Sequence, residues 1–109
     1  RKTMLLVDTS FVLEAVKRKI NIPKEIYIVP SSVYRELKLI SRNRGRKGSY
    51  AKAALKIIKN FYIYPTKLKP DEAIINISKK YNIPVLTFDL SIRSKVRYVD
   101  IKNKYVEVD

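Results

Sequence analysis

Met4-Leu5-Leu6-Val7-Asp8-Thr9-Ser10 is the stretch from which the rest of the chain is read. A run of apolar residues this short, closed by an acid and two hydroxyls, suits a buried strand better than a helix. Asp8 then stands at the strand's carboxyl end, and Thr9-Ser10 begin a helix. Phe11, Ala15 and Val16, with Leu13 nearby, carry that helix to about Ile20, and Asn21-Ile22-Pro23 breaks it. Ile26-Tyr27-Ile28-Val29 reads as a second strand. Pro30-Ser31-Ser32 opens a helix with a serine as its cap. Val33, Leu37 and Ile40 recur at helical spacing until about Arg42.

Arg42-Asn43-Arg44-Gly45-Arg46-Lys47-Gly48 is predicted as a loop, with four cations and both glycines of the chain. A third helix is expected over Ser49–Asn60, and Phe61-Tyr62-Ile63-Tyr64 is a third strand stopped by Pro65. Lys69-Pro70-Asp71-Glu72 starts a helix, its acids placed where the macrodipole favours them. Ile74, Ile77 and Tyr81 form its stripe, and Asn82-Ile83-Pro84 ends it. Val85-Leu86-Thr87-Phe88 is a fourth strand ending at Asp89, followed by a short helix over about Leu90–Lys95. Tyr98–Ile101 and Tyr105–Val108 make one or two last strands. Strands alternating with helices pair in parallel through right-handed crossovers, which gives a three-layer α/β fold.

The chain has 109 residues, which predicts one domain over 1–109. No apolar run approaches the ~20 residues of a membrane span, and no secretory leader is recognised, so a cytoplasmic protein is expected. Residue 1 is Arg, and Met4 is a candidate natural start. Cysteine is absent, which excludes disulfides and thiolate metal sites. Histidine is absent too, which excludes Ser-His-Asp and Cys-His catalysis and the usual zinc sites. Lys and Arg number 24 against 10 Asp and Glu, a net charge of +14 and a pI near 10.1. Such a balance points to a polyanionic partner, above all nucleic acid.

The few acids therefore become informative. Asp8 and Asp89 follow apolar strands and share the carboxyl edge of a parallel sheet, where ligands bind in open α/β sheets. Asp71 opens a helix on that edge. Glu36 lies on the Val33/Leu37/Ile40 side of its helix, costly for a carboxylate unless something pairs with it. Singly, each has a simpler reading: Asp8 and Asp89 as helix caps, Glu36 on a solvated face, Asp71 as a first-turn acid with Glu72 the inward one. Together, four converging carboxylates repel one another. A hard cation such as Mg²⁺ or Mn²⁺ resolves the conflict and can assist phosphodiester hydrolysis without a protein base.

These residues resemble a PIN-domain ribonuclease over nearly the whole chain. Leu5-Leu6-Val7-Asp8-Thr9-Ser10 is similar to that family's opening strand and Asp-Thr-Asn/Ser element. Val33-Tyr34-Arg35-Glu36-Leu37 resembles its Val-x-x-Glu-Leu helix, and Asp71-Glu72-Ala73-Ile74 its Asp-Asp-x-Ile element. Thr87-Phe88-Asp89 resembles its Thr-Asn-Asp element, with Leu90 and Arg93 as the usual Leu-Arg continuation. The resemblance implies a parallel sheet of about five strands flanked by helices. It implies Asp8, Glu36, Asp71 and Asp89 as the catalytic, metal-binding quartet for Mg²⁺ or Mn²⁺, with Thr9, Ser10 and Thr87 as supporting hydroxyls. It also implies endonucleolytic cleavage of RNA to 5′-phosphate and 3′-hydroxyl ends. Phe88 departs from the frequent Asn, and Ser91 stands where some members carry a further acid. Both departures bear on a second metal position.

The basic stretch from Arg42 to Lys59 looks most like archaeal PIN proteins related to ribosomal-RNA processing, with VapC-type toxins close by. The partners implied are RNA, an antitoxin or a ribosome-assembly partner, and a second copy in a homodimer, although no stretch marks an interface. A membrane is not among them. Arg42, Arg44, Arg46, Lys47, Lys52 and Arg93 are the expected RNA-binding residues, giving affinity without sequence choice. Tyr34 and Tyr50 are the candidates for base stacking. The rival reading is a non-catalytic basic RNA-binding or assembly protein on the same fold, and charge alone does not separate RNA from DNA.

Overall fold

The computed structural model describes residues 3–102, 105 and 106. Four strands form a parallel sheet: β1 (Met4–Val7), β2 (Ile26–Pro30), β3 (Tyr62–Tyr64) and β4 (Val85–Leu86), in the order β3-β2-β1-β4. Leu5 pairs with Tyr27, Leu6 with Val85, and Ile28 with Tyr62. Five helices flank it: α1 (Thr9–Arg18), α2 (Ser31–Ser41), α3 (Arg46–Ile58), α4 (Pro70–Tyr81) and α5 (Leu90–Arg93). The result is a three-layer, PIN-like α/β arrangement. None of the described helices is long and apolar enough to cross a membrane.

The central strands are apolar throughout, as a sheet covered on both faces requires. Leu5, Leu6, Val7, Val29, Val85 and Leu86 are fully buried. Phe11 and Val12 of α1, Val33 and Leu37 of α2, Ile58 of α3, and Ile74 and Ile77 of α4 complete one core cluster. β3 is an edge strand, and its Tyr62 and Ile63 are exposed. Tyr27 stacks on Phe61 with ring centroids 4.6 Å apart and donates its hydroxyl to the Pro23 carbonyl. Burial, with help from nearby Glu25, pushes that phenol up to about 12.

Four sequence expectations need correction. The sheet has four strands, and the fifth position holds only a single parallel bridge from Tyr98 to Val85. β5 (Ile101–Lys102) instead pairs antiparallel with β6 (Tyr105–Val106), while residues 107 and 108 of the expected last strand lie outside the described residues. β4 stops at Leu86 because the next ladder groups are taken by side chains: the Phe88 N–H donates to Ser10 Oγ and the Asp89 N–H to Thr87 Oγ1, each at 3.0 Å. Neither serine caps α2. Pro30 holds the cap position, and Ser31 Oγ instead exchanges hydrogen bonds with the Thr66 backbone. Finally, Arg46, Lys47 and Gly48 are not loop but the first turn of α3.

Candidate active site at the carboxyl edge of the sheet

Asp8 leaves β1 in extended conformation and precedes α1, yet its side chain does not cap that helix. Two hydroxyls hold it elsewhere. Its Oδ2 accepts from Ser10 Oγ at 2.8 Å and from Thr87 Oγ1 at 2.7 Å, and the two hydroxyls stand 3.1 Å apart. Each hydroxyl also receives a backbone N–H, from Phe88 and Asp89 respectively. The network ties the ends of β1 and β4 together and aims one buried carboxylate at the sheet's edge. Asp8 is only 3% exposed. Burial raises its carboxyl above the ordinary aspartate range, the Thr87 and Ser10 hydroxyls oppose that shift, and the charge of Asp71 adds to it.

Glu36 stands beside this group. It is half-buried, and its Oε1 accepts from Thr9 Oγ1 at 2.5 Å, so the residue next to Asp8 holds the α2 acid against α1. Asp71 lies in the first turn of α4, exposed but close enough for its charge to act on Asp8. Glu72 faces another way, lining an open cavity with Leu68, Ile75, Asn76, Lys79 and Lys80. Of the pair, Asp71 is the acid whose charge acts on Asp8. Asp89 does cap a helix: its Oδ1 accepts from the Ser91 and Ile92 N–H groups at 2.8 and 3.3 Å. That leaves its Oδ2 without a hydrogen bond among the described residues.

The acids are thus linked through hydroxyls and charge rather than gathered into one cage. Among the described residues, no group of three or more acidic side chains is drawn together closely enough to hold a metal ion. The donor chemistry nevertheless fits a hard divalent cation: every candidate ligand is an oxygen, and none is a nitrogen or sulfur. A further feature fits it: Asp8 carries a carboxyl that burial and Asp71 make costly to ionise alone.

The α2–α3 turn and the start of α3 are strongly basic. Arg42, Arg44, Arg46, Lys47 and Lys52 are all exposed on the α2–α3 turn and on α3. Arg46 and Lys47 occupy the first turn of α3, which has no acid, against the preference of the helix dipole. Local helix energetics do not account for cations there. Arg93, in the last turn of α5, donates Nε–H to the Thr87 carbonyl at 2.8 Å and so sits directly behind the Asp8 network. Among the described residues the only ion pair joins Arg18 to Glu14, at 2.6 Å. Of the two stacking candidates, Tyr34 already carries Lys38 Nζ 5.4 Å from its ring centre, and Tyr50 is half-buried. The sequence marks Phe88 only as a departure from a pattern and does not single out Arg18, although Phe11, Glu14 and Arg18 recur at helical spacing on α1.

No protein-family model matches the chain. Ribonuclease VapC9 of Archaeoglobus fulgidus is 24% identical over 112 residues, covering 95% of this chain and 83% of that protein. Among solved structures, a domain of a functionally unknown protein from Methanocaldococcus jannaschii superposes with a TM-score of 0.60, covering 98% of each chain at 18% identity. The second likeness concerns the fold alone. The chain thus shares its architecture with an archaeal protein domain and is a distant sequence relative of a VapC ribonuclease.

Proposed function

We propose that the protein is a metal-dependent endoribonuclease of the VapC type, hydrolysing RNA phosphodiester bonds at the Asp8 edge of the sheet. The observation that carries this reading is the Asp8 network: a buried carboxylate held by Ser10 and Thr87, beside Glu36 held by Thr9, in a chain of net charge +14. The distant likeness to Ribonuclease VapC9 supports it.

Asp8, Glu36 and Asp89 would hold Mg²⁺ or Mn²⁺, with Asp71 contributing across the mouth. When bound, such an ion supplies Lewis acidity toward a phosphodiester oxygen and lowers the pKa of water. The chain's own side chains do the rest. Thr87 and Ser10 orient Asp8, and Thr9 brings Glu36 in from α2. Arg42, Arg44, Arg46, Lys47 and Lys52 attract the phosphate backbone.

A labelled RNA incubated with the protein should be cut in Mg²⁺ or Mn²⁺ and left intact in excess EDTA, with activity restored by re-adding metal. Cleavage in EDTA at the same rate contradicts the reading. Thr87→Val keeps the shape and removes the hydroxyl. It should lower turnover about 10–100-fold, as losing a group that orients a metal ligand does, and an unchanged rate would show that Thr87 serves packing only.

The second reading is a non-catalytic RNA-binding protein, favoured by the Asp89 Oδ1 spent on capping α5. The same assay separates the two, since that protein binds RNA and cuts none. The biological role follows from a cellular test. Growth arrest on expression, relieved by a neighbouring gene's product, marks a toxin with an antitoxin, and accumulation of uncut ribosomal-RNA precursors on deletion marks a processing enzyme.

A further inference from the structure

Phe88 stands where the resembling family most often has Asn, and its ring is a meeting point for cations. The guanidinium carbon of Arg18 lies 4.8 Å from the ring centre and that of Arg93 lies 5.7 Å from it. Arg93 also lies 4.7 Å from the ring centre of Tyr98, while Phe11 stacks on Phe88 at 6.3 Å with the rings 12° apart. The series Arg18–Phe88–Arg93–Tyr98 therefore draws on α1, the β4–α5 connection, α5 and the segment after it.

Two like charges brought to one ring repel each other; Glu14 offsets part of this at Arg18, and an anion reaching both guanidiniums would offset more. Neither guanidinium is neutralised in a buried setting. The Arg18 side chain is 56% exposed, and its partner Glu14 is an i,i+4 surface pair of the kind that contributes little. Arg93 has no carboxylate within 4.0 Å among the described residues, and its Nε is aimed by the Thr87 carbonyl at 2.8 Å. A planar guanidinium stacked on an aromatic still presents its N–H fork sideways, the geometry that grips a phosphate. The location is specific, because Thr87 links Arg93 to Asp8 through its Oγ1, 2.7 Å from Asp8 Oδ2.

We infer that Phe88 is a platform that fixes Arg18 and Arg93 as a paired phosphate grip for single-stranded RNA, joined to the Asp8 carboxylate through Thr87 and leading toward Tyr98. This deepens the proposed function, on which it rests, by assigning the side chains that position the strand beside the reacting phosphate. Arg18, Phe88 and Arg93 are positioning residues rather than catalytic ones.

The test measures binding of a short labelled oligouridylate over a series of salt concentrations, without divalent metal and in an Asp8→Asn background so that nothing is cut. Each lost phosphate contact lowers the log–log salt slope by about 0.7. Arg18→Gln and Arg93→Gln should each show that loss. Arg93→Lys, which keeps the charge, should keep the slope. Phe88→Leu keeps both charges and removes the platform, and it should weaken binding by about five- to thirtyfold, the value of two exposed cation–π contacts. Lys24→Gln, an exposed cation just before β2 on the opposite edge, should leave the slope unchanged. If Arg93→Gln does not fold by circular dichroism, the exposed Arg18 variant decides. The grip is overturned if Arg18→Gln changes the slope no more than Lys24→Gln does. Cleavage by the unsubstituted protein is scored separately, so failure of the nuclease reading and failure of the grip give different results.

Discussion

Asp8→Asn is expected to lower RNA cleavage by more than about 100-fold, beyond the loss seen when a residue that merely orients a metal ligand is changed, while the fold melts at a higher temperature than the unsubstituted protein. The two effects have one cause. Asp8 is buried, and burial raises its carboxyl above the ordinary aspartate range even though Thr87 and Ser10 both donate to it. Without a cation, an ionised Asp8 is a cost of folding. Asn keeps an acceptor for both hydroxyls and carries no charge.

The sign follows from linkage. As pH rises, the unfolded chain ionises Asp8 first, at the ordinary value, and the folded protein only later. Between the two values folding takes up a proton, so stability falls with rising pH, and above the raised value the whole penalty is in place. The advantage of Asp8→Asn in EDTA is therefore present at neutral pH and disappears as pH falls toward and below the ordinary aspartate range. Adding Mn²⁺ should raise the Tm of the unsubstituted protein at neutral pH, because a ligand bound only by the folded state stabilises it. The variant should not respond. Thermal melts across pH, with and without Mn²⁺, check all three statements. A variant that melts lower at neutral pH in EDTA, or that still cuts RNA, contradicts the assignment of Asp8.

Gly48→Ala is expected to cost about 2 kcal/mol, in the range of forced overpacking, and to lower the Tm by about 10 °C for a domain of this size. A Cβ on Gly48 would stand 1.8 Å from the Asn43 carbonyl oxygen. That oxygen is backbone, so it cannot swing aside as a side chain would. Either α3 or the turn that precedes it must move, taking Arg42, Arg44, Arg46 and Lys47 with it. RNA binding should weaken together with stability. Gly45 is required for a different reason: its φ of 91° and ψ of −162° lie in a region that side chains rarely tolerate, although open space surrounds it. Gly45→Ala should therefore destabilise through backbone strain, and a variant with an unaltered Tm would contradict that account. The two glycines thus set the tight turn that leads into α3.

The order of strands and helices was legible because it depends on local matters: short apolar runs, helical spacing, and breakers such as Asn82-Ile83-Pro84. The placing of Asp8 and Asp89 on one edge was legible as well, since parallel strands put all their carboxyl ends on the same side. The start of α4 at Pro70 was written in its proline and first-turn acids. What those signals could not contain is anything decided by a partner distant in the chain. β4 is shorter than its sequence suggests because Ser10, 78 residues away from Phe88, claims the N–H that would have extended it. The distinction between Asp71 and Glu72 required α4 to be docked against β1, since neighbouring helix residues differ only in the direction they face. Phe88 was noticed as a departure from a pattern, yet its meeting with Arg18 and Arg93 exists only once the fold brings side chains from α1 and α5 to the segment between β4 and α5. Composition and periodicity determined the architecture and the rim of acids, because chain connectivity and burial act residue by residue. The tertiary structure alone decided which hydroxyls, rings and charges meet at that rim, because hydrogen bonds and cation–π contacts act over a few ångströms between segments that the sequence keeps apart.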